Sequence, residues 1–332
     1  MKTVAVLGTG SWGTALACHL ASAGHDVRLW GRNAELIGEM NARRANAVYL
    51  PDIVLPPGVM PTASLEEALH RAEIVLAALP SHGTRAVIRT AAPFISRQAL
   101  LVSATKGIEQ DTLLRVSEVI AQEVRGARPV AVLSGPSFAI EVAHRLPTAV
   151  SVACADPVIA EDVQREFRAA YFRLYGSTDV VGVEIGGALK NIIAIAAGAV
   201  EGLGLGQNAL AALITRGLAE ITRLACAVGG RRETLAGLSG LGDLVLTCTG
   251  SLSRNRHVGV ELAHGRPISE VVAGMKMVAE GVKTTTAALA LGRKHGVELP
   301  IAAQIAEVLT GNRSAAAAVE ELMLRPQKTE VT

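Results

Sequence analysis

Thr3-Val4-Ala5-Val6-Leu7-Gly8-Thr9-Gly10-Ser11-Trp12-Gly13 is an apolar, β-branched run that ends in a glycine-rich turn. A helical stretch, 14–23, follows, and Gly24 closes it. A second apolar run, 27–30, comes next. Strand, GxGxxG turn, helix and strand, in that order, make the βαβ unit that holds a dinucleotide. Gly8 permits the tight turn, Gly10 lets the backbone approach a pyrophosphate, and Gly13 lets the helix sit close to the sheet. The pyrophosphate then faces the free N–H groups and the positive end of that helix.

The same punctuation continues outward. Strand-like runs at 3–7, 27–30, 74–79, 100–104, 130–133 and 149–153 mostly lack polar alternation, as expected of strands covered on both faces. Helical stretches lie between them, such as 65–72 behind Ser64. This predicts an α/β N-terminal domain with a doubly wound, mostly parallel Rossmann-type sheet. Beyond about Gly182 the strand runs stop. Apolar helical stretches at 185–200, 210–228, 269–275, 284–295 and 301–310 follow, broken by glycine clusters. This half reads as an all-α domain. Gly176-Ser177-Thr178-Asp179 reads as the turn between them, which gives domains 1–183 and 184–332.

Composition narrows the function. The chain has 332 residues, of which 50% are hydrophobic and 3% aromatic, so it is too apolar to be disordered. Its 32 Lys and Arg against 30 Asp and Glu leave a net charge of +2, a poor basis for nucleic-acid binding on a broad basic face. Cys18, Cys154, Cys226 and Cys248 form no CxxC pair, so no metal site or redox dithiol is expected. The N-terminus has no signal-peptide pattern, and the most apolar helical stretch, 192–200, falls short of a membrane span. We expect a soluble, cytoplasmic protein.

The end of the second strand selects the cofactor. NAD-selective sites place an acid there, whereas this chain has Arg32. A guanidinium suits a 2′-phosphate, so NADP is expected to be accepted, with NAD also open. Three stretches carry candidate chemistry. Ser103-Ala104-Thr105-Lys106-Gly107 lies at a strand's C-terminal end, where doubly wound sheets bind ligands. Ser134-Gly135-Pro136-Ser137 follows another strand and offers a hydroxyl donor. Lys190 opens the helical half, on one helix face with Ala194, Ala197 and Glu201. Apolar surroundings would bring its pKa toward neutrality, as a general acid/base needs. Asp243, in Gly240-Leu241-Gly242-Asp243, either caps a helix or orients the Lys190 ammonium. Ser253-Arg254-Asn255-Arg256 gathers donors suited to a phosphate dianion, or forms a basic surface loop.

Together these motifs resemble the bacterial-type NAD(P)-dependent glycerol-3-phosphate dehydrogenase family. The matching stretches are GTGSWG at 8–13, TKGIE at 105–109, SGPSFA at 134–139, ALKNIIAIAAG at 188–198, GLGDLVLTCT at 240–249, SRNR at 253–256 and VAEGV at 278–282. The resemblance spans essentially the whole chain. It implies reversible reduction of dihydroxyacetone phosphate to sn-glycerol 3-phosphate, supplying the phospholipid backbone, commonly by a homodimer and without a metal. It makes Lys190 the proton donor and acceptor. It places Lys106, Gly135, Ser137, Asp243, Ser253, Arg254 and Asn255 around the substrate. Ser11, Trp12, Arg32, Tyr49, Lys106, Ala139, Arg254, Val278 and Glu280 would contact the dinucleotide, with Tyr49, Val278 and Glu280 assigned by resemblance alone. The rivals are a 6-phosphogluconate or β-hydroxyacid dehydrogenase, and a dinucleotide-sensing module without turnover. The SGPSFA stretch and the arginine cluster disfavour the first, and the combination of Lys190, Asp243 and SRNR disfavours the second.

Overall fold

The computed structural model describes residues 1–126, 129–275, 279–327 and 329. Ten strands are present among them: β1 (Thr3–Leu7), β2 (Asp26–Trp30), β3 (Ala45–Asn46), β4 (Leu50–Val54), β5 (Val59–Thr62), β6 (Ile74–Ala77), β7 (Leu100–Ser103), β8 (Ala131–Ser134), β9 (Thr148–Ala153) and β10 (Phe172–Ser177). Eight form one sheet in the order β10-β9-β8-β7-β6-β1-β2-β5, and β3 and β4 pair as a separate hairpin. The sheet is parallel throughout except between β8 and β9. The link from β8 to β9 carries only the five-residue helix Ala139–Ala143, and the chain returns antiparallel. The central strands β6, β7 and β8 are buried along their whole length, which explains their unbroken apolar runs.

Two sheet strands escape the sequence reading, and both are edges. β5 is Val-Met-Pro-Thr, and Pro61 suppresses the strand signal while being tolerated at an edge. β10 is Phe-Arg-Leu-Tyr-Gly-Ser, with alternate residues buried at its start. Gly176 and Ser177, expected in a turn, pair in register with Val152 and Ala153. The turn is therefore confined to Thr178 and Asp179. Asp179 then caps the next helix, its carboxylate accepting from the Gly182 amide at 2.8 Å.

That helix, Val180–Gly202, is the axis of the second half. It is 23 residues long, so the expected apolar stretch was underestimated, and it is long and apolar enough to cross a membrane. It is instead a core helix: 89% of its most apolar window is buried inside the fold. Helices Gly206–Ala227, Asp243–Thr249, Arg254–Ala263, Glu280–Lys294 and Pro300–Leu309 pack around it. Close backbone approach falls on Gly198, one turn after Ala194, and on Gly259. A Cβ on Gly198 would overlap the Arg256 carbonyl, and one on Gly259 would overlap that of Ile195. The two backbones thus touch, and the start of the Arg254–Ala263 helix is held against the axis.

The sheet's core encloses an imidazole. His19 is 1% exposed, with Nε2 2.7 Å from the Phe167 carbonyl and Nδ1 2.9 Å from the Tyr171 hydroxyl. Burial lowers its pKa to about 4. The unfolded chain takes up a proton below about 6.5, whereas the native ring resists until about 4. Stability at His19 is therefore complete above 6.5 and is lost as pH falls toward 4. Urea unfolding at pH 7 and pH 5 should show about 2 kcal/mol less acid loss in His19→Gln than in the parent. Equal losses in both proteins would exclude His19 as the source.

Candidate active site

The dinucleotide end is built on β1. Gly8 has φ +121°, and a Cβ there would overlap the Ala78 carbonyl. A Cβ on Gly13 would overlap the Gly8 carbonyl, so the helix Ser11–Ser22 lies directly on the turn. Gly10 faces open space. The helix starts with no side-chain cap and no acid in its first turn, which leaves its positive end ready for an anion. Trp12 Nε1 is buried, with no hydrogen-bond partner among the described residues. Room at Gly10, an uncapped helix end and an orphaned donor together fit a pyrophosphate-bearing cofactor. Ser11 is half-buried at the helix start, and Trp12, Tyr49 and Ala139 pack, partly exposed, on one core.

Sequence reasoning missed the brace of this turn. The fully buried Asn46 donates its amide to the Thr9 carbonyl and the Thr14 hydroxyl, both at 2.8 Å. Its oxygen accepts from the Tyr49 amide at 3.2 Å. No local pattern announces Asn46 as a brace, because the two oxygens its amide donates to lie more than thirty residues away. Arg32 stands exposed just past β2. It and Lys283 lie close enough to His82 to add to the burial that lowers that imidazole's pKa. Two cations therefore lie near His82.

The chemical end centres on Asp243, which is 1% exposed at the first residue of the Asp243–Thr249 helix. Its Oδ1 accepts from Lys190 Nζ, and its Oδ2 accepts from Lys106 Nζ at 2.6 Å. Of the two readings of Asp243, the side chain takes the second: it orients ammoniums. Lys106 also donates to the Gly135 carbonyl at 3.0 Å, and the Ser137 hydroxyl donates to the same oxygen at 2.9 Å. Lys190 donates to Thr247 Oγ1 at 2.7 Å, and Thr247 in turn donates to the Asp243 carbonyl at 2.6 Å. Thr247 was not predicted, although its place one helical turn after Asp243 was the available signal. Burial lowers the Lys190 pKa to about 8, with Asp243 opposing and Lys106 reinforcing the shift. Two ammoniums around one carboxylate leave this cluster short of one negative charge.

The Arg254–Ala263 helix closes the site. Ser253 caps it, Oγ accepting from the Arg256 amide at 3.3 Å. Asn255 donates to Asn191 Oδ1 at 2.9 Å and accepts from the Gly281 amide at 3.0 Å, which ties it to the residue beside Lys190. Arg256 pairs with Glu201 at 2.5 Å. Of the expected phosphate stretch, Ser253, Asn255 and Arg256 thus have structural bonds inside the protein. Arg254 is half-buried beside Glu280, and burial lowers its pKa while Glu280 opposes. The Glu280 carboxylate accepts from the Ser81 hydroxyl at 2.7 Å. Val278 lies outside the described residues. Among the described residues, no group of three or more His, Cys, Asp or Glu side chains is placed to hold a metal ion.

The sequence matches the two halves of a known protein family over most of its length. Residues 3–160 match the NAD-dependent glycerol-3-phosphate dehydrogenase N-terminus, and residues 179–320 match its C-terminus. The chain belongs to the NAD-dependent glycerol-3-phosphate dehydrogenase family. Within it, the chain is 53% identical over 275 residues to a glycerol-3-phosphate dehydrogenase [NAD(P)+] of Koribacter versatilis, covering 82% of each chain. The solved glycerol-3-phosphate dehydrogenase of Coxiella burnetii is 42% identical, with a TM-score of 0.94 over 98% of this chain and 99% of that one. The corresponding yeast structure is 27% identical, with a TM-score of 0.82 over 96% and 98%. The family membership makes NAD or NADP the cofactor of this chain. It also accords with the Rossmann-type sheet and the helical second half.

Thr247→Val deletes an acceptor of the Lys190 ammonium without adding volume. Losing one charge-assisted hydrogen bond should lower kcat by about tenfold while the NADPH dissociation constant stays within about twofold. Initial rates combined with an NADPH titration test this, and unchanged kcat would remove Thr247 from the site's machinery.

Proposed function

We propose that the chain reversibly reduces dihydroxyacetone phosphate to sn-glycerol 3-phosphate with NADPH or NADH. The observation that carries this reading is the buried Lys190–Asp243–Lys106 cluster at the sheet's C-terminal edge. The dinucleotide, when bound, supplies the hydride. The chain's own residues do the rest. Reduction of a ketone builds alkoxide charge on its oxygen, and the Lys190 ammonium stabilises that charge and then donates its proton. Asp243 and Thr247 hold Nζ at a fixed point, and Lys106 supplies a second positive group beside it. Arg254, partly desolvated beside Glu280, is suited to the substrate phosphate. Binding energy from that remote group positions the carbonyl.

In this reading residues 1–183 form the dinucleotide-binding domain and residues 184–332 the helical substrate domain. The cation pair Arg32 and Lys283 supports acceptance of the NADPH 2′-phosphate. By likeness to the family the enzyme works as a cytoplasmic homodimer and supplies the glycerophospholipid backbone.

The test is spectrophotometric: NADPH oxidation with dihydroxyacetone phosphate, with 6-phosphogluconate, and with no ketone. Turnover with the first alone is expected, and its absence there would refute the reading. Lys190→Ala should lose at least about a thousandfold in kcat while still binding NADPH. Because Lys190 must carry its proton in reduction, kcat should fall as pH rises through about 8, and the reverse reaction should show the opposite slope. Arg254→Ala should weaken phosphate-bearing substrate and leave a non-phosphorylated ketone nearly unaffected. Equal losses on both would show that Arg254 does not read the phosphate.

A further inference from the structure

The helix that presents Lys190 also carries a buried carboxylate that the proposed chemistry does not use. Glu184 lies less than two turns before Lys190, and its side chain is 3% exposed. Its Oε2 accepts from Arg115 Nη1 at 2.7 Å and from Ser117 Oγ at 2.6 Å, and its Oε1 accepts from the Ser117 amide at 2.8 Å. All three donors come from the other half of the chain, at the start of the Val116–Glu123 helix.

The segment that delivers those donors also carries Lys106. From 105 to 117 the chain is gripped repeatedly. Gly107 lies against Ser81, where a Cβ would sit 2.5 Å from that of Ser81. Glu109 takes two bonds from Arg85, at 2.8 and 2.7 Å. Gln110 donates to the Lys283 carbonyl at 3.1 Å. The strap begins at the lysine on Asp243 and ends at the arginine on Glu184. Lys106 and Lys190 are thus joined twice, once through Asp243 and once through Arg115 and Glu184.

A buried ion pair is a poor device for stability alone, because desolvating both charges cancels much of their attraction. Its directional bonds do fix geometry. Resting on the assignment of Lys190 as proton donor, we infer that Glu184 is a positioning residue: through Arg115 and Ser117 it clamps the catalytic helix to the 105–117 strap and sets the separation at which Lys106 and Lys190 share Asp243. Loosening the clamp admits water to Lys190. Burial is the largest cause of that lysine's lowered pKa, Lys106 adds to it, and Asp243 and Cys248 oppose it, so its titration should move toward the ordinary lysine range.

The test uses the full-length double variant Arg115→Gln/Glu184→Gln. It removes the half-buried guanidinium and the buried carboxylate together, leaves amides able to hydrogen-bond, and strands no buried charge, since the side chain of Glu118, the other ion-pair partner of Arg115, is exposed. Three quantities are read: the melting temperature, kcat with dihydroxyacetone phosphate, and the Lys190 titration midpoint. The midpoint comes from NMR of lysine-labelled enzyme, assigned with Lys190→Arg. We expect a melting temperature within several degrees of the parent, kcat lower by at least about tenfold, and a midpoint raised by about one pH unit. A parent-like midpoint overturns the proposal, whatever happens to kcat. Ser117→Ala, a milder change, should move the midpoint in the same direction by a smaller amount, and it decides the matter if the double variant does not fold. If the parent itself fails to oxidise NADPH with dihydroxyacetone phosphate, the proposed function falls, while the midpoint still reports on positioning.

Discussion

One buried carboxylate organises this molecule. Asp243 is almost completely inaccessible, and each of its oxygens faces a lysine from a different part of the chain. A lone carboxylate at that depth would be very costly, and so would either ammonium. The three charges are tolerable only together, with Thr247 and the Gly135 carbonyl taking further donor hydrogens. The helical half must therefore dock where Lys106 can reach it. This requirement joins the end of the β7 strand to the Val180–Gly202 helix more strictly than apolar contact could.

The rest of the architecture serves that junction. Parallel strands bring the turns after β1, β7 and β8 to one edge, so the glycine turn, Lys106 and Gly135 converge there. Backbone contact at Gly198 and Gly259 pins the Arg254–Ala263 helix against the helix that carries Lys190, and Asn255 completes the link to Asn191. The desolvation that brings Lys190 to about 8 follows from the same packing. Stability and reactivity thus share one cause: a polar triad enclosed by small and aliphatic side chains.

How much of this was legible in the sequence depended on the range of the interaction. GTGSWG declared its role because a turn, a close helix and an anion site are local consequences of glycine placement. The central strands were legible because burial on both faces leaves an unbroken apolar run. β5 was hidden by Pro61, and β10 by a Gly-Ser pair that reads as a turn but lies in an edge strand. Lys190 and Asp243 were singled out as chemistry, yet nothing in the residues revealed that Lys106 shares the same carboxylate. Asn46 and Glu184 were silent for the same reason, since each acts on partners tens of residues away. In Glu184 a trace existed: an acid inside a very apolar helix needs a buried partner. Ser253 and Asn255 were legible as polar, but their bonds within the protein emerged only from the fold.

The central claim is that Asp243 works as one unit with both lysines. A double-mutant cycle tests it most directly, using kcat/KM for dihydroxyacetone phosphate reduction in the parent, Lys106→Met, Asp243→Asn and the combined variant. If the carboxylate is shared, the double variant should lose little more than the worse single one, a coupling of about 1–3 kcal/mol. Losses that simply multiply would show that Lys106 and Asp243 act independently, and would contradict the account.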